Sequence, residues 1–227
     1  MRLDLHVHTI YSAVPGFPFL RDSFNHFEDI VRVAREKGID GVGITDHNTL
    51  EGAVRFKEYV RRKGFNVEVV VGEEVKTRSG DIIALDIETR IPPRMTVEET
   101  LDRIRDCNGL SVVAHPYAYN GVGEEIVRTL RFNLIETLNS CVPSKMNDKA
   151  KELAVQLGLP GAGGSDAHRP KVIGNALTVV RGDAPVRESL EKGRTIVEGK
   201  TSPRFGVFQK VLLRARNPRE IFCNPFH

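Results

Sequence analysis

Cysteine is scarce and unpatterned. Cys107, Cys141 and Cys223 are odd in number, far apart and form no C-x-x-C pair, which argues against a disulfide framework or a zinc knuckle and fits a reducing cytoplasm. No apolar run approaches the roughly 20 residues of a bilayer-spanning helix, and the N-terminus enters a strand without a secretion signal, so no membrane role is expected. Neither charge dominates: 33 Lys and Arg against 30 Asp and Glu leave a formal net charge of +3, which by itself points to no nucleic-acid partner. Tryptophan is absent, and that excludes nothing. Repeats, low-complexity tracts and linkers are also missing. At 227 residues, 40% hydrophobic and 28% charged, the chain reads as one α/β barrel in a single domain rather than two small domains.

What is present is an alternation of short β-like runs with amphipathic helical ones. Strands are expected at 41–45, 67–71, 81–87, 110–114, 134–138, 161–164, 176–180 and 195–198, after a first strand around Leu3 to Val7. Between them, Phe27, Ile30, Val31 and Ala34 share one helical face that stops at Gly38, and Leu50, Ala53, Val54 and Val60 share another that stops at Gly64. Thr96-x-x-Glu99 has the form of a capping box, and Ser144 stands where a cap for Met146, Ala150, Leu153 and Leu157 would stand. The pattern predicts a parallel sheet.

Histidine is the informative residue. In Leu3-Asp4-Leu5-His6-Val7-His8-Thr9 the strand alternation sends the His6 and His8 imidazoles to the same side. Paired neutral imidazoles are a natural way to hold a divalent transition metal. Further ligand types close other apolar runs: Asp46-His47, Glu73-Glu74, His115, and Asp166 with His168. Each alone reads as a cap, a strand exit or a solvated charge. Jointly, five of seven histidines lie on or at the ends of expected strands with carboxylates at the same level, while His26 and His227 look incidental. In a barrel the C-terminal strand ends build the active site.

Four ordered motifs, Asp4-Leu5-His6-Val7-His8-Thr9, Gly43-Ile44-Thr45-Asp46-His47-Asn48, Ala114-His115-Pro116 and Gly164-Ser165-Asp166-Ala167-His168, resemble those of the PHP (polymerase and histidinol phosphatase) superfamily. The resemblance implies a distorted (β/α)7 barrel, two or three divalent metal ions and a phosphoesterase activity. It makes His6, His8, His47, Glu74, His115, Asp166 and His168 metal ligands; Glu74 is preferred to Glu73 because the family acid lies two residues after the glycine, here Gly72. Two positions depart. The acid or histidine that follows the first motif would fall in Ser12-Ala13-Val14, where no ligand stands, and a family histidine would fall near Asp81, a harder ligand. Two metals are therefore expected more readily than three, with zinc, manganese and iron all suited to the ligand set.

Such a cluster can activate a water for in-line attack on a phosphate ester. Lys76, Arg78 and Arg169 are the nearest cations to the motifs and candidates for holding the phosphate. The expected substrate is a nucleotide, a short oligonucleotide or another small phosphorylated metabolite. A nuclease on longer RNA or DNA, and a non-catalytic nucleic-acid-binding subunit, are the alternatives. Phe17, Phe19 and Phe24 in the loop after the first strand either stack on a base or pack over the barrel mouth, the commoner use. Arg204, Lys210, Arg214, Arg216 and Arg219 form a basic helix at about 204–219 that either guides a nucleic acid or is the outer face of a docked surface helix.

Overall fold

The computed structural model describes residues 1–202; the basic helix expected at 204–219 lies outside the described residues. Nine strands, β1 Arg2–Val7, β2 Gly41–His47, β3 Glu68–Thr77, β4 Gly80–Leu85, β5 Leu110–Val113, β6 Leu134–Asn139, β7 Gly161–Gly164, β8 Ala176–Val180 and β9 Thr195–Gly199, form one sheet in the order β7-β6-β5-β4-β3-β2-β1-β8-β9. Six helices accompany them: α1 Phe27–Lys37, α2 Glu51–Lys63, α3 Val97–Asp106, α4 Glu124–Thr129, α5 Ser144–Leu157 and α6 Val186–Glu191.

The sheet curls on itself. One apolar cluster joins Leu3 and Leu5 of β1 to Ile83 and Leu85 of β4, Leu110 and Val112 of β5 and Leu134 of β6, a meeting that strands so far apart in the order reach only in a closed wall. Closure is made just beyond β7, where His8 N donates to Ala167 O at 3.1 Å and Ala167 N to His6 O at 3.3 Å. The other end of β1 is taken by β8, through Arg2↔Val179 and Leu3↔Thr178. Seven strands thus form a distorted barrel, with β8 and β9 as an added hairpin.

The sheet is mixed, not parallel as the alternation suggested. β4 runs antiparallel to both β3 and β5. Only Arg78 and Ser79 separate β3 from β4, and a two-residue connection can make a hairpin but not a parallel crossover. β8 and β9 are also antiparallel, with α6 in the connection between them.

The helices cover the outer wall. α1, α2 and α5 each end at a glycine in the left-handed region, Gly38, Gly64 and Gly158, as C-terminal signals require. α3 carries both halves of its capping box: Thr96 Oγ1 accepts from Glu99 N at 3.1 Å, and Glu99 Oε2 accepts from Thr96 N at 2.8 Å. Two helix expectations need correction. Val54 is exposed, and Phe56 takes the inward place between Ala53 and Val60. Ser144 makes no cap; Pro143 occupies that position without a side-chain hydrogen bond.

Candidate metal centre

Five imidazoles and their carboxylates converge at the ends of β1, β2, β5 and β7 and beside Glu74, three residues before the end of β3. His6 ends its ring at Nε2, 3.1 Å from His8 Nε2. Glu74 lies at the centre: its Oε2 is 2.9 Å from His47 Nδ1, 3.4 Å from His8 Nε2 and 3.5 Å from His6 Nε2, while Oε1 is 2.9 Å from His115 Nε2. Asp166 Oδ1 closes another side, 3.5 Å from His8 Nε2 and 3.8 Å from His6 Nε2. The ligand-type atoms fall into overlapping triads, each compact enough to hold an ion: His6 with His8 and Glu74, Glu74 with Asp81 and His115, His6 with His115 and Asp166, and His8 with His47 and His168.

The last triad has a carboxylate that the motifs did not reveal. Asp22 Oδ2 stands 3.2 Å from His47 Nε2 and 3.7 Å from His168 Nε2. The expectation that no acid follows the first motif is therefore wrong in its spacing. The chain leaves at Ser12, turns through a hairpin, pairs Ala13 with Arg21 and comes back so that Asp22 N donates to Ser12 O at 3.3 Å. A hairpin returns its two ends to one place, so Asp22 arrives where a residue at 12–14 was expected.

Glu136 was also missed. Its Oε1 is 2.9 Å from His6 Nδ1, and its Oε2 accepts from His115 N at 2.8 Å and Asn139 Nδ2 at 3.0 Å. A carboxylate in mid-strand among Leu134, Ile135 and Leu138 is itself a signal, because an acid is rarely buried there without partners. Ser12 Oγ similarly holds His8 Nδ1 at 3.1 Å. Both contacts leave the opposite ring nitrogen facing the cluster, as ligating imidazoles require.

The backbone bends to build the site. Asn48, His115 and Asp166 are non-glycine residues at positive φ, +54°, +27° and +53°, a conformation that costs on the order of 1–3 kcal/mol and persists where surroundings over-determine it. Glu136 fixes the amide of His115, and Asn48 is tied on both sides by its N–H to Glu74 O and its Oδ1 to Lys76 N.

Electrostatically the cluster is a set of opposed pulls. Burial pushes the His6 imidazole down, but Glu136, Asp166 and Glu74 carry it well above its ordinary value. His47 is likewise desolvated and then raised by Glu74 and Asp22, and His115 by Glu74. His8 goes the other way, to about 3, through burial and the neighbouring His168 and His47. Burial would raise Glu74 and Asp22, yet the surrounding imidazoles hold both well below the usual carboxylate range. Packed carboxylates facing imidazoles at such close range match what a divalent cation stabilises, and the mixed nitrogen and oxygen donors fit such an ion.

The expected cations separate. Lys76 Nζ lies 3.0 Å from Asp81 Oδ1, beside the Glu74–His115 part of the cluster, and Asn120 Nδ2 donates to Asp81 Oδ2 at 2.6 Å. Arg169 follows His168 and is half-buried. Arg78 is engaged elsewhere: its Nε donates to Arg94 O, and its charge faces Glu99 at the start of α3.

Fold and site together define a barrel protein with a histidine–carboxylate metal-type centre at its strand ends. Residues 4–153 match the family model of the PHP domain and residues 145–195 that of the PHP-associated region. The chain belongs to the PHP family. It is 43% identical over 120 residues to an uncharacterized protein of Methanocaldococcus jannaschii, MJ1587, covering 52% of this chain and 69% of that one. Its fold is similar to that of a two-domain protein of Bacteroides vulgatus containing a predicted PHP-like metal-dependent phosphoesterase, with a TM-score of 0.67, 17% identity and 88% of this chain covered. It is also similar to a lesion-specific endonuclease of Pyrococcus furiosus, with a TM-score of 0.61, 16% identity and 91% covered. The chain spans 65% and 60% of those two solved proteins, respectively.

Proposed function

We propose that this chain is a metal-dependent phosphoesterase that hydrolyses phosphate esters of nucleotides, short oligonucleotides or another small phosphorylated metabolite. The observation that carries the reading is Glu74, one buried carboxylate facing four imidazoles from two sides. In this reading His6, His8, Glu74 and Asp166 would hold one ion and Glu74, His115 and Asp81 a second, and Asp22, His47 and His168 would hold a third where three are bound. Zinc, manganese and iron suit these donors, two or three in number. Bound there, divalent ions supply a lowered pKa for water and charge neutralisation at a phosphoryl group.

The chain's own residues have separate tasks. Glu136 and Ser12 orient His6 and His8 from behind. Lys76 and Arg169 offer positive charge to the non-reacting phosphate oxygens. No helix among the described residues is long and apolar enough to cross a membrane, and the scarce, widely spaced cysteines suit a reducing cytoplasm.

The test is elemental analysis of protein purified without added metal or chelator, then a phosphate-release screen with manganese and zinc over nucleotides, sugar phosphates and dinucleotides. Two or more ions per chain with turnover of a small ester supports the reading. Bound metal with cleavage only of long RNA or DNA replaces it by a nuclease, and no metal and no turnover after reconstitution removes it.

A further inference from the structure

Among the described residues, the exposed phenylalanine and tyrosine side chains are Phe17, Phe19 and Tyr119. All three sit on segments that leave the histidine cluster, Phe17 and Phe19 between Ser12 and Asp22, Tyr119 four residues after His115. Phe17 and Phe19, read in the sequence as either stacking on a base or packing over the barrel mouth, are each 53% exposed, and their rings stand perpendicular with centroids 6.1 Å apart. Soluble proteins rarely hold paired aromatic rings open to water without a use for them.

The backbone that carries the pair is shaped by two turns. Phe17 N donates to Val14 O at 2.8 Å around Pro15 and Gly16, the latter at φ +89°, and Leu20 N donates to Phe17 O at 2.9 Å around Pro18. Pro at the first central position presets each turn, and glycine supplies the positive φ of the first. Little further ordering is then needed to present the rings. The legs of the hairpin are joined to the cluster itself: Ser12 Oγ to His8 Nδ1, Asp22 Oδ2 to His47 Nε2, Ser23 Oγ to His8 O at 2.7 Å, and Phe24 N to His168 O at 3.0 Å. Phe19 is three residues from Asp22, so their Cα atoms are at most about 10 Å apart, the span of a single nucleotide.

We propose that the Phe17–Phe19 tip is a stacking platform for the base of a nucleotide whose phosphate occupies the histidine–carboxylate cluster. This deepens, and rests on, the phosphoesterase reading. A π-face is what such rings recognise in preference to a sugar, and stacking tolerates any base. The platform therefore selects nucleotides over sugar phosphates and does not distinguish among bases.

The experiment follows the fluorescence of 2-aminopurine riboside monophosphate with the metal-loaded full chain, with ribose 5-phosphate as competitor. Stacking quenches the probe. The double variant Phe17→Ala/Phe19→Ala should weaken nucleotide binding about 10-fold or more, in line with alanine substitutions at stacked bases, with ribose 5-phosphate affinity and metal content unchanged. Phe17→Leu/Phe19→Leu should not restore binding, whereas Phe17→Trp/Phe19→Trp should. Restoration by leucine, equal nucleotide affinity in wild type and double variant, or wild type binding the nucleotide no better than ribose 5-phosphate overturns the proposal. Turnover of esters lacking a base together with any of these results leaves the phosphoesterase standing; quenching lost in the double variant, with no ester hydrolysed, does the reverse.

Discussion

Glu136 Oε1 lies 2.9 Å from His6 Nδ1, both side chains almost wholly buried. A carboxylate accepts and cannot donate, so Nδ1 carries a proton and Nε2 is the nitrogen turned to the cluster, free to ligate once its own proton is displaced. Glu136→Gln can satisfy the same contact with its amide NH2, which would place the proton on the wrong ring nitrogen. The expected result is metal affinity lower by about 10- to 100-fold, with the melting temperature of the metal-free protein little changed. Metal titration and thermal unfolding on the same samples check it, and unchanged affinity would show that His6 needs no such support.

Proton release should accompany metal binding. In the metal-free protein His6, His47 and His115 have folded pKa values above the ordinary 6.5. Their contribution to stability is thus fully present below pH 6.5 and is lost as pH rises through the raised values. Glu74 and Asp22 act in the opposite sense, contributing above their ordinary 4.5 and 3.8 and losing that contribution as pH falls through the lowered values. A cation must displace the histidine protons. Calorimetric titration at pH 6.5 in buffers of different ionisation heat should therefore report proton release, fewer protons as pH is raised, and tighter apparent binding along the way. Heats independent of buffer would contradict the protonation pattern.

Asp22 belongs to the triad of His8, His47 and His168, away from the contact between His115 and Asp81. Asp22→Asn removes the carboxylate charge that stands 3.2 Å from His47 Nε2 and 3.7 Å from His168 Nε2 and keeps the hairpin's shape. Elemental analysis should find one ion fewer per chain, with the ions at Glu74 retained. Loss of all metal would mean that the triads are not separable, and no loss would make Asp22 a partner of the imidazoles alone.

Much of this site was legible in the sequence because its residues close predicted strands. His6, His8, His47, His115 and Asp166 are each within two residues of a strand end, Glu74 lies three residues before the end of β3 and His168 four beyond β7, and the barrel brings such ends together. Asp22 was not legible because a loop's spatial return depends on its turns, here two proline-led turns, and not on residue count. Glu136 was hidden by its apolar neighbours. The antiparallel β4 was readable in principle from the shortness of Arg78-Ser79, but the helix-strand alternation elsewhere outweighed it. Val54 failed for a simpler reason: with 3.6 residues per turn, Ala53, Phe56 and Val60 define one face, and Val54 falls to its side.

Gly164 gives the most local test of how tightly the centre is packed. It ends β7 directly before Ser165 and Asp166, and a Cβ there would overlap His6 Cβ and stand 2.9 Å from Glu136 Oε1. Both neighbours are buried and hydrogen-bonded to each other, so neither can withdraw without breaking the contact that orients His6. Gly164→Ala should therefore reduce metal affinity by at least as much as Glu136→Gln and also destabilise the fold, overpacking of this kind costing about 1–3 kcal/mol. Denaturant unfolding of the metal-free variant measures the second effect and metal titration the first. A variant that loses stability but binds metal normally would show that β7 can move away from β1 without disturbing His6, and that closure through Ala167 is looser than its two hydrogen bonds suggest.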